Sequence, residues 1–182
     1  MRRVMVSVLG VLLLVSACGS SGGGSDEGNG EGGKKVSYES VKSSVDDLTA
    51  KILPALASGL DGEFPLVRGK FTECGVGPNN QKYSVRGELH SQVDDNAEAA
   101  ESIRAVLTDA GLDVEITDDQ TVKGTIDGTD VVVLSSSGRS VGGVMIRSFS
   151  LDSECQWYSE GDAEAMRKIA PNEYGSPVTG AS

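Results

Sequence analysis

A possible nucleophile motif lies in the second half of the chain. Residues 138–142 read GRSVG and match the Gly-x-Ser-x-Gly spacing of a nucleophile elbow, in which the serine attacks an acyl group. The elbow needs a helix directly after the serine and a histidine later in the chain. Residues 144–151 instead predict a strand, and the single histidine, His90, precedes Ser140. The sequence therefore predicts a glycine-rich hairpin loop here, and hydrolysis is the weakest functional alternative.

The sequence also contains no recognisable metal-binding motif. His90 lies close to Asp94 and Asp95, but these residues lack the spacing of a ligand set and are typical of a solvated strand-to-helix junction. Residues 118–119 and 127–130 are rich in aspartate but lack the alternation of an EF-hand calcium loop. We expect turns at these positions and predict no metal site, no cofactor and no catalytic residue.

The first eighteen residues carry a targeting signal. Arg2 and Arg3 precede an apolar run over residues 4–15, which is too short to span a membrane and has the length of a signal-peptide core. The run ends in VSAC at residues 15–18, which resembles the lipobox of bacterial lipoproteins. That resemblance implies cleavage after residue 17, a diacylglyceryl group on the Cys18 thiol, and attachment to the extracytoplasmic face of the cell membrane. The alternative is an ordinary secretory signal with an incidental cysteine.

The segment after Cys18 predicts a tether. Residues 19–33 are almost entirely Gly, Ser, Asp, Glu and Asn, so they offer too few apolar side chains to offset the entropy of ordering. We expect residues 18–33 to form a lipidated, flexible linker with a typical reach on the order of 20 Å. This tether and the small acidic domain after it are similar to lipoproteins of high-GC Gram-positive bacteria.

The charge of the chain limits its partners. Without residues 1–17, 14 basic residues stand against 27 acidic ones, which gives a net charge of −13. Nucleic acid is a poor partner because phosphate binding needs clustered Lys and Arg. The charge also disfavours attraction to anionic lipid headgroups. We therefore predict a membrane contact through the covalent lipid, and an envelope protein or a small molecule as the partner.

Lipidation of Cys18 leaves two cysteines, Cys74 and Cys155, in an oxidising compartment. We predict a structural disulfide between them, since no Cys-x-x-Cys motif indicates redox chemistry. Trp157 and Tyr158 follow the second cysteine, and strand geometry places Trp157 on the same side as Cys155. Trp157 is expected either to pack against the bridge as core or, with Tyr158, to form an aromatic lip on a ligand pocket.

The remainder of the chain, residues 34–182, predicts one domain that begins with helices. Apolar residues at three- and four-residue steps predict a helix from Val41 to Leu56, which Pro54 should kink or end. A second helix follows Asp95, which forms a capping box with Glu98. A short third helix is predicted over residues 163–170, ending before Pro171. The chain after residue 171 is predicted to be frayed.

Strands dominate the middle of the domain. Alternation predicts strands over residues 82–90, 112–117, 121–126, 129–135 and 144–151, with an edge strand or extended loop over 64–74. Asp127-Gly128 is typical of a type I′ hairpin turn, and the continuous apolar run over 131–134 suggests a central strand. The predicted fold is α+β, with a mostly antiparallel sheet of about five strands, helices packed on one face, and one disulfide.

These features favour a lipid-anchored, non-enzymatic binding or interaction module of the cell envelope. The first alternative is a carrier or sensor for a small molecule or lipid, which needs an apolar cavity between the sheet and the helices. The second is an envelope hydrolase, which needs Ser140 within hydrogen-bond reach of His90.

Overall fold

The computed structural model describes residues 36–75, 77–134, 139–175 and 177–179. The predicted signal peptide (1–17) and the predicted tether (18–33), with Cys18, lie outside the described residues. The helices are α1 (Tyr38–Gly59), α2 (Asn96–Asp109) and α3 (Glu160–Lys168). The strands are β1 (Gly62–Phe64), β2 (Val67–Glu73), β3 (Asn80–Ser91), β4 (Asp113–Ile116), β5 (Thr121–Ile126), β6 (Thr129–Leu134), β7 (Arg139–Val141), β8 (Val144–Ser153), β9 (Gln156–Trp157), β10 (Asn172–Glu173) and β11 (Val178–Thr179).

All of these strands belong to one sheet, in which neighbours run in the order β10-β2-β3-β8-β6-β5-β4. Four short strands pair outside this order: β1 and β9 pair with β3, β7 pairs with β8, and β11 pairs with β1. Every pairing within the described residues is antiparallel, which confirms the predicted α+β class. The predicted number of strands, about five, was wrong. The additional strands are two or three residues long, too short for alternation to indicate them.

Helices α1 and α2 pack on one face of the sheet, and the core lies between these two layers. Tyr83, Val85 and Leu89 point from β3 toward the helices and are fully buried, as their alternation predicted. Ile52 and Leu56 of α1 are equally buried on the opposite side of the core.

Helix α1 begins where the Ser37 side chain accepts a hydrogen bond from the Ser40 N–H at 3.2 Å. It continues through Pro54, which therefore does not end it, and its last residue is Gly59, the position at which glycine favours a stop. A proline removes a single backbone hydrogen bond. The last turn remains helical because Leu53, before the proline, and Ala57, after it, are both buried in the core.

The second and third helices also begin at polar caps. Asp95 accepts hydrogen bonds from the Ala97 and Glu98 N–H groups at 2.8 and 2.9 Å, which confirms the predicted start of α2. Helix α3 begins earlier than expected, because Ser159 caps it, and it ends at Lys168 rather than at residue 170.

The hairpin between β5 and β6 has the predicted turn. Asp127 and Gly128 have φ values of 46° and 73°, the left-handed conformation that a type I′ turn requires. Strand β6 lies between β5 and β8, so its central placement is confirmed. Its two faces are unequal, however: Val131 and Val133 are fully buried, whereas Leu134 is 38% exposed.

The segment after α3 is paired with the sheet, which contradicts the predicted frayed tail. Asn172–Glu173 pairs with β2, and Val178–Thr179 pairs with β1. Between them the Tyr174 hydroxyl donates to the Asp46 carboxylate on α1 and lies 3.3 Å from the Tyr83 hydroxyl. The tail is therefore fixed by both backbone and side-chain hydrogen bonds.

Candidate binding face

The predicted disulfide joins two segments at one end of the sheet. Cys74 and Cys155 are bonded, with their Cα atoms 6.2 Å apart, within the usual range. The Cys74 N–H donates to the Asn80 carbonyl at 3.0 Å, and the Tyr158 N–H donates to the Asn79 carbonyl at 2.9 Å. The bridge and these bonds hold the loop before β3 against β9, so this end of the molecule is rigidly connected.

Trp157 lies at the same end, and 65% of the residue is exposed. The expectation that it packs as core is therefore wrong, because its ring points away from the helices beside Asn80. Tyr158 is half-buried, and its hydroxyl meets no hydrogen-bond partner among the described residues. Burial raises the pKa of the Tyr158 hydroxyl, and the negative charge of Asp162 adds to the effect.

The sheet face opposite α1 and α2 is here called the open face. It is polar: Thr72, Lys82, Ser84, Arg86, Ser148 and Ser150 all project from it, as the strand register requires. Leu66 and Leu134 are exposed apolar residues that contribute to this face or its margin. Two grooves lie across it.

The first, the acidic groove, crosses β4, β5 and β6 and has a volume of about 550 Å³. Its charged lining consists of Asp113, Glu115, Asp130 and Lys123. The Lys123 ammonium lies 3.6 Å from the Glu115 carboxylate, which leaves the groove with an excess of negative charge. Sequence reasoning did not find it, because its residues come from three strands whose order was not predicted.

The second, the basic groove, crosses β2, β3 and β8 and has a volume of about 520 Å³. Arg68, Arg86 and His90 line it together with Glu88 and the exposed Leu66. Arg68 and Arg86 are directly opposite each other in the register of β2 and β3. Like charges in this position repel, so each arginine needs a carboxylate partner.

Those partners lie beside the groove. Glu173 of the tail accepts from Arg68 at 3.0 Å, and Asp152 accepts from Arg86 at 2.9 Å. Asp152 also accepts from the Ser84 hydroxyl at 2.5 Å and lies 3.3 Å from the Lys82 ammonium. Burial alone raises the pKa of the Asp152 carboxyl. The hydrogen bonds from Arg86 and Ser84, with the positive charges of Arg86 and Lys82, outweigh burial and lower that pKa.

The space between the sheet and the helices, where a carrier needs its cavity, is occupied by the hydrophobic core. Phe64 and Phe149 pack edge to face with ring centroids 5.6 Å apart, and Phe71 packs against Tyr83 at 4.9 Å. Leu56 is also fully buried in this layer. Both grooves described above lie on the face away from α1 and α2.

The serine of the GRSVG motif does not lie on a nucleophile elbow. Ser140 belongs to β7 and pairs with Met145, and a two-residue turn leads directly into β8. His90 lies on β3, on the other side of β8, so the strands that carry the two residues are about 10 Å apart. Residues 139–141 are a strand rather than part of the predicted loop, and residues 142–143 form the turn of the β7–β8 hairpin. Residues 135–138 of that loop lie outside the described residues.

The polar residues suspected of metal binding remain separate. His90 is on β3, and Asp95 caps α2. Residues 127–128 form the hairpin turn already described. Across the described ranges, no three His, Cys, Asp or Glu side chains converge on a common point.

A buried cation was not anticipated. Arg147 lies on β8 opposite Leu89, points toward the helices, and has no exposed surface. Its Nη2 is 3.5 Å from the Asn96 Oδ1, and its Nε and Nη1 donate to no atom of the described residues. Burial lowers the pKa of this guanidinium, and the charge of Asp94 opposes the effect. The alternation of residues 145, 147, 149 and 151 in sequence was the signal that could have placed it inside.

Comparisons with known proteins give no relative. No protein-family profile, no curated protein and no solved structure matches the chain. No helix of the described residues is long and apolar enough to cross a membrane.

Proposed function

We propose that the chain is a lipid-anchored, non-enzymatic binding module of the bacterial cell envelope, and that it holds its partner on the open face. The anchor is the acylated Cys18 at the extracytoplasmic face of the cell membrane. The observation that carries the proposal is the asymmetry of the sheet: one face is sealed by α1 and α2, and the other carries both large grooves.

The two grooves differ in charge, which gives the open face a means of orienting a partner. Asp113, Glu115 and Asp130 outnumber Lys123 on one side, whereas on the other side Arg68 and Arg86 are paired with Glu173 and Asp152. Charge complementarity determines the orientation of a bound partner more than its affinity. A partner with a positive charge at one end therefore fits this face in a single orientation, with that end in the acidic groove.

Site-specific photo-crosslinking in the native host tests the location of the partner. A photoreactive residue is placed at Thr125, which is exposed in the acidic groove, or at Thr108, which is exposed on α2. Because both replace an exposed threonine, Thr108 is the matched control. We expect a discrete adduct from position 125 and none from position 108.

A photoreactive residue at Arg86 extends the test to the basic groove. Adducts that form equally from α2 and from the open face, or from α2 alone, contradict the proposal. The identity of the adduct then shows whether the partner is a protein or a small molecule.

A further inference from the structure

Trp157 is an unusual surface residue, because it is the only tryptophan of the chain and 65% of it is exposed. It is also rigidly held. Its strand pairs with β3 at Asn80, and the preceding Cys155 is bonded to Cys74. A large aromatic side chain on a backbone held in this way is the kind of residue that anchors an interface.

The described chain begins close to this end of the sheet. Val36, which is 45% exposed, lines the same groove of about 280 Å³ as Gln156, the neighbour of Trp157. Two residues further on, the Tyr38 ring packs on Phe71 with centroids 5.9 Å apart, and Phe71 lies on β2 three residues before the disulfide. The described chain therefore begins at the same end of the sheet as Trp157, on the side that carries α1.

The length of the predicted tether sets how far this end of the domain can lie from the lipid. Seventeen residues separate Cys18 from Val36. A chain with the composition of residues 19–33 has a typical end-to-end distance of about 5–6 Å times the square root of its length, or roughly 23 Å here. The surface around Val36 is therefore kept within a few nanometres of the acylated cysteine.

We propose that Trp157 contacts the lipid surface and orients the domain on the membrane, an inference that rests on the proposed lipidation of Cys18. The indole ring is amphipathic and favours the headgroup level of a bilayer. A single such contact is weak for a free protein. The anchor makes it intramolecular, so the effective concentration of lipid at Trp157 is high.

The charges at this end favour a neutral lipid surface. Asp127 and Glu154 line the groove that contains Val36, and they lie on the side of the molecule that the tether keeps near the lipid. Anionic headgroups repel these carboxylates over a Debye length of about 8 Å at physiological salt. The matching partner is therefore a zwitterionic lipid surface.

This orientation directs the basic groove away from the membrane. Strand β3 begins at Asn80, beside Trp157, and reaches the basic groove at Arg86 and His90. Ten residues of strand span about 33 Å. With Trp157 at the lipid, the open face extends outward and is accessible to a partner.

Fluorescence of the lipidated full-length protein on phosphatidylcholine vesicles tests the contact, because the emission comes from Trp157 alone. We expect a blue shift and a several-fold reduction in acrylamide quenching relative to the unlipidated Cys18→Ser protein, with strong quenching by brominated phosphatidylcholine. Phosphatidylglycerol in the vesicles should weaken this protection at low ionic strength. Stronger protection on anionic vesicles would overturn the assignment of a neutral surface.

A relocated tryptophan is the matched control. In the double variant Trp157→Phe, Leu66→Trp, the ring is moved to the basic groove, where Leu66 is 39% exposed. It should remain fully accessible to acrylamide on the same vesicles. Equal protection at both positions would mean that the domain has no preferred orientation.

Flotation of the vesicles separates the two proposals. If the protein floats but Trp157 is quenched by acrylamide as in the Cys18→Ser protein, the lipid contact is wrong and the anchor stands. If the protein purified from membranes carries no acyl chains and does not float, the anchor itself is wrong.

Discussion

At the scale of single residues, Asp152 organises the charges of the open face. It binds Arg86, Lys82 and Ser84, and its pKa is lower than that of an ordinary aspartate. In the unfolded chain the carboxyl regains its usual pKa near 4. Ionised Asp152 therefore stabilises the fold above that pH, and the contribution is lost as the pH falls through the lower pKa of the folded state.

The variant Asp152→Asn should lower the free energy of unfolding by about 1–2 kcal/mol at pH 7. Urea denaturation of the variant and the native protein between pH 7 and pH 3 measures the difference, which should shrink below about pH 4. Asp130→Asn is the matched control, since Asp130 lies opposite Asp152 in β6 and is exposed. That change should cost little, and a difference for Asp152→Asn that is constant with pH would contradict the assignment.

Arg147 is the second residue whose environment leads to a test. Its guanidinium is buried, and two of the three nitrogen atoms find no hydrogen-bond partner among the described residues. Burial of this charge carries a desolvation cost, which Asn96 and the charge of Asp94 offset in part. Arg147→Met keeps the length of the side chain and removes the charge. It should raise the free energy of unfolding by about 1–4 kcal/mol, measured by thermal and urea denaturation.

The control for this change is Arg104→Met, which alters an exposed ion pair with Glu101 on α2. Exposed pairs contribute about 1 kcal/mol or less, so Arg104→Met should be nearly neutral. A loss of stability in Arg147→Met would show that the guanidinium has a partner that more than offsets its burial.

At the scale of secondary-structure elements, the C-terminal tail depends on a small residue in a neighbouring strand. A Cβ atom at Gly69 would lie 2.6 Å from the Tyr83 hydroxyl oxygen and 2.7 Å from that of Tyr174. Gly69→Ala therefore forces Tyr174 from its place beside Asp46. We expect a loss of about 1–3 kcal/mol and faster hydrogen exchange at residues 172–174.

Gly59→Ala provides the comparison for this variant. Its nearest atom is a Val106 methyl at 3.4 Å, which is close to ordinary contact, and the site is at the end of α1. This substitution should be neutral within about 0.5 kcal/mol. Equal effects of the two alanines would contradict the role given to the tyrosine pair.

The disulfide connects elements that are distant in sequence. Cys74 and Cys155 are 81 residues apart. A bridge that closes a loop of this length restricts the unfolded chain and so raises the free energy of unfolding by roughly 4 kcal/mol. The double variant Cys74→Ser, Cys155→Ser should therefore show a markedly lower melting temperature in calorimetry. An unchanged transition would mean that the bridge contributes no stability.

The elements differ in how well the sequence predicted them. Helix α2, strand β3 and the Asp127-Gly128 hairpin were predictable because each is specified by a local pattern: a cap, an alternation or a turn dipeptide. Strands β9, β10 and β11 contain two residues each, and they form because longer strands offer free edges. No local pattern encodes such pairing.

The candidate site was less predictable than the fold for the same reason. The disulfide was predicted from the number of cysteines and from the compartment that the predicted signal peptide implies. The exposure of Trp157 depends on which side of β9 faces solvent, and the strand beside it was not predicted. The two grooves combine residues from three strands each, so their charge could be recognised only after the strand order was known.

At the scale of the whole molecule, the proposed function depends on attachment at Cys18. The Cys18→Ser variant should lose incorporation of labelled palmitate and move from the membrane fraction to the soluble extracellular or periplasmic fraction, because the two acyl chains supply lasting attachment. Cell fractionation with metabolic labelling measures both effects. Label that persists in the variant would show that acylation is elsewhere or that the signal is an ordinary secretory one.

The pairing of β11 with β1 has a practical consequence for work in living cells. Strand β1 meets β3 at Ser91, the end opposite to Asn80 and the disulfide. Asn80 and Ser91 are about 36 Å apart along β3. A fluorescent reporter or an affinity handle fused beyond residue 179 would therefore start at the end of the sheet remote from Trp157 and the disulfide, where it leaves the proposed lipid contact uncovered.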